Sequence, residues 1–215
     1  MVKRVLCSNC LKASSACICS TIKVIDNLYQ VHILQHPSEE KKAIGTARIL
    51  KLSLRNVKLS IGEFFDEQQF DLKNSYLLFP SDTAITATEL VKQHTFDKKS
   101  QFILLDGSWK KAYKLLMSNP FLQVLPKVFI DVDVKSNYRL RKSPREDGLS
   151  TVEAGYYLLS QLEQDSQKFI PLLKSFEFMI DYQISQIPEE IYQRHYLDKN
   201  NDDSLTKVKD QTNDT

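Results

Sequence analysis

Short apolar runs alternate with amphipathic patterns along this chain, and this alternation constrains the fold more than any other feature of the sequence. Several runs are apolar at consecutive positions, as expected for strands covered on both faces of a sheet. We predict strands at residues 29–35, 56–62, 75–80, 101–106 and 126–132. We predict helices at about 40–54, 86–94, 108–117 and 150–164, and from 166 to about 194 with breaks at Pro171 and Pro188. The pattern predicts an α/β domain with a mostly parallel sheet, followed by helices.

All four cysteines lie within thirteen residues, spaced C-x2-C-x6-C-x-C. Disulfides are rare in a reducing cytosol, whereas four thiolates match the tetrahedral coordination of zinc. We therefore predict a zinc-binding arm in residues 1–28, with a redox pair or an iron–sulfur site as alternatives. Such a site leaves no position for water, so the metal is expected to be structural. The predicted ligands are Cys7, Cys10, Cys17 and Cys19.

The 215 residues, 42% of them hydrophobic, are enough for one main domain with appendages, predicted at residues 29–197. No apolar stretch approaches the roughly 20 residues that span a bilayer, and the amino terminus has no signal-peptide pattern. A cytoplasmic protein is expected. Residues 198–215 have almost no apolar content, which predicts a disordered tail.

Polar segments follow most of the predicted strands, where open α/β sheets bind ligands. The segments are "QHPSEE", "FPSD", "DGSW" and "NYRLRKSPREDGLSTVEAG", and we expect them to converge on one pocket. Each also has a purely structural interpretation. His36 and Pro37 can end a strand, Asp82 can open a turn, and Ser150 with Glu153 fits an S-x-x-E capping box.

The segment Asp106 to Trp109 contains the only tryptophan and one of only five glycines. Gly107 allows close backbone approach or a positive φ angle, and an aromatic ring in the first turn of a helix can cover a flat ligand. Alternatively, Asp106 accepts hydrogen bonds at the start of the next helix and Trp109 belongs to the core. The usual glycine-rich nucleotide motifs and the G-x-S-x-G hydrolase motif are absent.

Five ordered motifs resemble the DTW-domain family over about residues 5–195. They are the cysteine spacing, "HPSEEKKAIGTARIL", "LLFPSD", "LLDGSWKKA" and "YRLRKSPREDGLSTVEA". The family is named after D-x-T-W, and here Ser108 replaces the threonine and keeps the hydroxyl. Where the family often has Asn-Thr-Gly-Arg, this chain has Gly45-Thr46-Ala47-Arg48.

The resemblance implies a tRNA-uridine aminocarboxypropyltransferase. Such an enzyme moves the 3-amino-3-carboxypropyl group of S-adenosylmethionine to N3 of a uridine, expected in the variable loop, and releases methylthioadenosine. It also implies a SPOUT-like fold with a carboxyl-terminal trefoil knot. The expected partners are tRNA and S-adenosylmethionine, and we expect a monomer. The alternatives are a SPOUT-class RNA methyltransferase and a non-catalytic, zinc-bearing RNA-binding adaptor.

The resemblance also assigns roles to the motif residues. The catalytic residues are expected to be Asp106, Ser108 and Trp109. Asp106 would take the N3 proton or favour the sulfonium, with Asp82 or Glu153 as other candidates for the base. The expected cofactor-binding residues are Pro80, Ser81, Asp82, Leu105, Gly107, Arg139, Arg141, Arg145, Ser150, Thr151 and Glu153. The expected RNA-binding residues are His36, Glu39, Lys42, Thr46 and Arg48.

Further RNA contacts are expected outside these motif residues. Tyr138, like Trp109 and His36, has a ring on which a base can stack. The zinc arm is expected to hold the RNA backbone with Lys3, Arg4, Lys12 and Lys23.

Overall fold

A single parallel sheet organises the computed structural model, which describes residues 5–93, 96–130 and 148–188. Its strands are Gln30–Gln35 (β1), Val57–Ile61 (β2), Ser75–Leu78 (β3), Ile85–Thr86 (β4), Gln101–Asp106 (β5) and Lys127–Phe129 (β6). Their order in the sheet is β2-β1-β5-β3-β6-β4. Each pairing is parallel, so all the carboxyl ends lie along one edge. This confirms the α/β prediction.

Helices cover both faces of the sheet. They are Ala47–Ser53 (α1), Ala87–Gln93 (α2), Trp109–Ser118 (α3), Pro120–Val124 (α4), Thr151–Glu163 (α5) and Ser166–Ser185 (α6). Buried residues of α1, α2, α5 and α6 share one hydrophobic cluster, and Leu116 of α3 belongs to a second with Phe121 and Leu122 of α4. Within the described part of the chain, no helix has the length and apolar character needed to cross a membrane.

Side-chain alternation along the strands explains the two clusters. In β5, Phe102 and Leu104 belong to the first cluster, whereas Ile103 belongs to the second. In β1, Val31 and Ile33 belong to the first and Leu34 to the second. Successive side chains of a strand point to opposite faces. The runs of consecutive apolar residues therefore reflect burial on both faces.

Helix α1 starts at Ala47, about seven residues later than predicted. The segment before it forms a 3-10 turn at Pro37–Glu39 and a turn in which Gly45 N–H donates to the carbonyl of Lys42. The Lys12 ammonium donates hydrogen bonds to the carbonyls of Ala43 and Gly45, at 2.6 and 3.2 Å. Because these carbonyls accept from Lys12, they do not accept the backbone hydrogen bonds of a helix. The helix α1 therefore starts only after them.

The predicted break at Pro171 is wrong, because α6 continues through it from Ser166 to Ser185. Its apolar side packs without interruption on either side of the proline, with Phe169, Leu172 and Phe176 all buried. Packing of this side outweighs the hydrogen bond that proline removes. The short β4 and α4 have too few residues to show a periodic pattern, and the sequence did not predict them.

The amino-terminal arm packs directly against the main domain. Ile18 is fully buried in the first cluster together with Cys10. The Ser175 hydroxyl of α6 donates to the carbonyl of Thr21 at 2.9 Å. Ile25 forms a parallel bridge with Leu54, just after α1. The arm thus shares its core with α1 and α6.

Some predictions fall on residues that the structure does not describe. These include the tail at 198–215, the basic run at 138–145 and the predicted helical residues 189–194; α6 itself ends at Ser185, before Pro188. The knot also stays a prediction, because residues 131–147 of the carboxyl-terminal region lie outside the described residues.

Candidate functional site

Three of the four polar segments meet at a cavity of about 220 Å³ at the carboxyl edge of the sheet. The end of β3, the turn from β5 into α3, the end of β6 and the start of α5 form its walls. It is lined by Leu78, Phe79, Pro80, Leu104, Leu105, Gly107, Trp109, Ala112, Phe129, Ile130, Leu149, Thr151 and Ala154. The predicted convergence is thus found for "FPSD", "DGSW" and "LSTVEAG".

Asp106 lies beneath this cavity, only 6% exposed, and is not among its lining residues. One carboxylate oxygen accepts a hydrogen bond from Gln35 Nε2 at 2.7 Å. The other accepts one from the hydroxyl of Thr151, which does line the cavity. The carboxylate therefore joins the ends of β1 and β5 to the first turn of α5.

Gln35 was not predicted as a site residue. It pairs with Asp106 in the register of β1 and β5, and both follow the alternation that faces α5. Gln35 is 5% exposed, and the carboxylate satisfies its buried amide. The available signal was a polar residue at the carboxyl end of a mostly buried strand, but its partner depends on a register that the sequence did not show.

Trp109 and Phe79 form an aromatic wall of the cavity. Their ring centroids lie 6.0 Å apart at an interplanar angle of 75°, an edge-to-face arrangement. Gly107, two residues before Trp109, has no positive φ, so close approach is the reason for glycine here. A Cβ at this position would lie 2.8 Å from Cβ of Lys111. Ser108 is the N-cap residue of α3, but its side chain makes no capping bond.

The start of α5 confirms the capping-box interpretation. The backbone N–H of Ser150 donates to Glu153 Oε2 at 2.8 Å, and the Ser150 hydroxyl accepts from the Glu153 backbone. Both residues are buried. Ser81 and Asp82 are exposed in the turn that follows β3 and do not line the cavity. Arg139, Arg141, Arg145 and Tyr138 lie outside the described residues.

The segment "QHPSEE" does not line the cavity, and its Glu39 contacts α3 instead. Glu39 is 9% exposed, and its Oε1 accepts from Lys42 at 2.9 Å and from Lys111 at 2.7 Å. Burial alone would raise the pKa of Glu39, but the two lysines outweigh it and lower the pKa. Glu39 is thus an anionic link between this segment and α3.

His36 makes a second link to α3. Its Nδ1 lies 2.9 Å from the Ser38 hydroxyl, and its Nε2 lies 3.0 Å from Glu63 Oε1. The other oxygen of Glu63 accepts from Lys114 of α3 at 2.6 Å. The hydrogen bond from Lys114 is the main reason that the pKa of Glu63 is lowered. The imidazole is therefore held within a polar network.

The remaining predicted RNA-binding residues lie where the arm meets α1. Thr46 is the N-cap residue of α1 and is buried, while Arg48 is half-buried and lines a small cleft with Lys12. Lys12 is only 6% exposed, so its ammonium serves two loop carbonyls rather than RNA phosphate. Burial, with a smaller effect of Arg48, lowers the pKa of Lys12 to about 8. Lys23 is exposed; Lys3 and Arg4 lie outside the described residues.

The four cysteines form a cluster whose geometry fits zinc. All four Sγ atoms lie within 4.8 Å of one another, and none forms a disulfide. The Cys7–Cys19 and Cys10–Cys17 sulfur distances are 3.7 and 3.8 Å. A sulfur tetrahedron around zinc with Zn–S near 2.3 Å has edges of about 3.8 Å. The distances therefore match the predicted zinc coordination.

Local chain geometry also suits this cluster. The backbone N–H groups of Cys10 and then Asn9 lower the pKa of Cys7 to about 6, whereas burial raises the pKa of Cys19 to about 12. Thiolates this close repel one another unless a cation balances them, and a bound Zn²⁺ would supply that charge. Leu11 follows the first ligand pair with φ at 59°, which closes the turn around it.

A parallel sheet with a cavity at the carboxyl ends of its strands defines an α/β protein of the kind that binds small ligands at that edge. Sequence comparison is more specific. The DTW domain matches residues 4–184, and the chain therefore belongs to the DTW-domain family.

Several curated relatives align over nearly the whole chain. A Drosophila melanogaster protein named tRNA-uridine aminocarboxypropyltransferase 2 is 28% identical, covering 93% of this chain and 83% of the relative. Proteins of the same name from Macaca fascicularis and Mus musculus are each 25% identical, covering 92% of this chain and 70% of each relative. No solved structure gives a significant match.

Proposed function

We propose that this chain is a tRNA-uridine aminocarboxypropyltransferase that uses S-adenosylmethionine as donor. The observation that carries the proposal is the meeting of the D-G-S-W segment with the start of α5 at one cavity, in a chain that matches the DTW domain over residues 4–184. The product is uridine carrying a 3-amino-3-carboxypropyl group at N3, and the by-product is methylthioadenosine. The target uridine lies in an unpaired tRNA segment, where a base can be splayed out.

The cavity has the features that this donor requires. The rings of Trp109 and Phe79 offer an apolar wall for the adenine, and the backbone around Gly107 allows close approach. The Thr151 hydroxyl and the α5 amino terminus provide polar groups for the amino-acid end, together with the arginines of the 138–145 run. The donor supplies an electrophilic carbon activated by its positive sulfur. The protein then aligns the uridine, and positioning of this kind lowers a barrier by about 7–11 kcal/mol.

Asp106 has two possible contributions, and its hydrogen bonds favour one of them. As a base it would accept the N3 proton of uridine, in line with general acid–base catalysis. As a positioning residue it would orient the Thr151 hydroxyl and hold α5 against β5. Both of its oxygens accept hydrogen bonds from protein groups, and it lies beneath the cavity lining. We favour the positioning role.

Zinc at the cysteine cluster has a structural role in this proposal. Cys7, Cys10, Cys17 and Cys19 would hold it, and four thiolates leave no coordination site for substrate. The charged segment at the end of β1, with Lys42, forms part of the RNA side. A SPOUT-like fold with a carboxyl-terminal knot and a monomeric, cytoplasmic protein complete the proposal.

The decisive experiment uses the full-length protein with S-adenosylmethionine and an unmodified tRNA transcript. Digestion to nucleosides followed by mass spectrometry should reveal uridine that has gained one aminocarboxypropyl group, with methylthioadenosine as by-product. A methyl-sized gain with S-adenosylhomocysteine would instead identify an RNA methyltransferase. Binding of tRNA without any mass gain would identify a non-catalytic adaptor, and would overturn the proposal.

A further inference from the structure

The exposed side of α3 combines lysines with apolar side chains, and neither the cavity nor the metal site uses it. The helix sequence "WKKAYKLLMS" has three lysines and no acid. Tyr113 and Met117 are 56% and 49% exposed, and Lys110 and Lys114 are exposed beside them. In an α-helix of 3.6 residues per turn, these four residues share one side. This side carries positive charge and an aromatic ring together.

The helix starts at the cavity and leads away from it. Trp109, its first residue, lines the cavity, and Tyr113 lies one turn further along. Ten residues at 1.5 Å each give a path of about 15 Å. If one unit of a polymer enters the cavity, the neighbouring units would lie along α3.

Phe64 adds a second exposed ring, next in the chain to Glu63, which pairs with Lys114 of this side. It is 75% exposed, although the residues on either side of it are fixed to α3. Glu63 accepts from Lys114, and the backbone N–H of Phe65 donates to Asn119 just after α3, at 2.8 Å. The Asn119 amide in turn donates to the carbonyl of Glu63 at 2.9 Å. Phe64 is therefore a large apolar side chain held in water by an ordered backbone.

The lysines at the start of α3 work against the helix itself. Lys110 and Lys111 lie in its first turn, where the macrodipole is already positive and acids are preferred. A local arrangement that disfavours the element in which it occurs is most common at functional sites. Lys111 is balanced by Glu39, whereas the exposed Lys110 makes no ion pair within the described part of the chain, so its charge adds positive potential beside the mouth of the cavity and favours an anionic ligand.

We propose that the α3–Phe64 surface, formed by Phe64, Lys110, Tyr113, Lys114 and Met117, holds the tRNA strand next to the uridine that enters the cavity. This inference rests on the proposed function and extends it to the RNA outside the reaction centre. Single strands bind where aromatic rings accept stacked bases and lysines meet phosphates. Protein interfaces are depleted in lysine, so the composition favours RNA over a protein partner.

The test measures the affinity of the full-length protein for a labelled, unmodified tRNA transcript. Phe64→Ala and Tyr113→Ala should each weaken binding about fivefold or more, because each removes a stacking platform. Phe64→Tyr and Tyr113→Phe keep the ring and should bind within twofold of wild type. Both positions are exposed, and a thermal melt checks that each of the four variants stays folded.

Salt dependence gives a second measure that a protein interface would not reproduce. Lys110→Gln should reduce the slope of log Kd against log salt by about 0.7, the value for one phosphate contact on a single strand. Lys92→Gln on α2, also an exposed lysine, should leave the slope unchanged. Affinity for S-adenosylmethionine should stay within twofold of wild type in every variant.

Two outcomes separate this inference from the proposed function. If wild type modifies tRNA, but the alanine variants bind it normally and Lys110→Gln keeps the salt slope, the surface is not an RNA site. A protein interface would then be the better explanation of its exposed rings. If wild type binds tRNA without modifying it, the proposed function fails, and the affinity series still decides whether this surface binds RNA.

Discussion

The cysteine cluster and the cavity differ in how far along the chain their residues are spread. The four sulfurs come from residues 7 to 19, and local turns bring them within 4.8 Å of one another. The cavity uses residues from Leu78 to Ala154, carried by the ends of three strands and the starts of two helices. The cysteine cluster is formed by one short segment, and four thiolates leave no coordination position for water. The cavity is assembled by the sheet and open on one side.

The two regions are therefore expected to have different roles. A four-thiolate site has no free position for a substrate, so its contribution is to hold the arm against α1 and α6. The cavity combines an aromatic wall with the buried Gln35–Asp106–Thr151 hydrogen bonds. Changes at the cluster should therefore act on stability, whereas changes at the cavity should act on turnover.

The largest expected effect is the loss of the metal. Cys10→Ser removes a buried ligand, and we expect zinc to fall well below one per chain. The free energy of unfolding should fall by about 4 kcal/mol or more, because metal binding and folding are coupled. Metal analysis and denaturant unfolding measure the two effects. Ser8→Ala, an exposed change in the same turn, should retain the metal. A Cys10→Ser protein that is metal-free yet stable would contradict this account of the arm.

Asp106→Asn should have the next largest effect, chiefly on turnover, because an asparagine amide sets an N–H donor against the donor of Gln35 or Thr151. We expect transfer to fall by about 100-fold or more while zinc content is unchanged. Asp26→Asn, at an exposed carboxylate that pairs with Arg55, is the matched control and should keep wild-type turnover. Near-normal turnover of Asp106→Asn would remove Asp106 from the mechanism.

A double-mutant cycle with Thr151→Val separates the two roles of Asp106. If Asp106 acts by orienting Thr151, each single change should cause a similar loss and the double variant little more. If Asp106 is the base, Thr151→Val should retain far more activity than Asp106→Asn. Single-turnover rates at saturating substrate are the appropriate measurement.

Lys12→Met should have a smaller effect, on the contact between the cysteine-bearing arm and the loop that precedes α1. The change leaves the carbonyls of Ala43 and Gly45 without their donor, which loosens the loop that leads to Arg48. Stability should change by no more than about 1 kcal/mol, since removing a buried charge offsets the lost hydrogen bonds. The KM for tRNA should rise about threefold or more at unchanged zinc content. Lys23→Met, exposed in the same arm, is the control, and an unchanged KM for Lys12→Met would argue against this coupling.

His32 belongs to neither the cysteine cluster nor the cavity. Its protonation should leave the stability of the protein unchanged at neutral pH. Burial, with a smaller effect of Lys58, lowers its pKa from 6.5 to about 4. The unfolded chain therefore takes up a proton before the folded one does, and stability should fall as the pH drops from about 6.5 to about 4.

His32→Phe keeps a ring stacked on Phe70 and should remove this part of the pH dependence. Melting temperatures across this pH range test it. An unchanged slope in the variant would assign the acid sensitivity to other groups, including those around the cavity.

The strands were predictable because burial on both faces leaves a signal in every residue. The predicted strand at 101–106 has the observed bounds, and that at 29–35 is off by one residue. The start of α1 was not predictable, because Lys12, more than thirty residues earlier, donates to a carbonyl of the segment just before the helix. Continuation of α6 through Pro171 likewise depends on packing against other elements. Local patterns hold no information on either partner.

The sequence by itself determined the α/β class, the cysteine spacing suited to zinc, and the polar residues at the strand ends that could bind or react with a ligand. Each of these depends on periodicity or on short spacing, which the chain carries locally. Only the tertiary structure decided which of these residues meet. It joined Gln35 to Asp106 through strand register, paired Glu39 with Lys111 of α3 and His36 with Glu63, and buried Lys12 beneath a loop. Such partners are brought together by packing of the whole sheet and its helices, which no short stretch of sequence specifies.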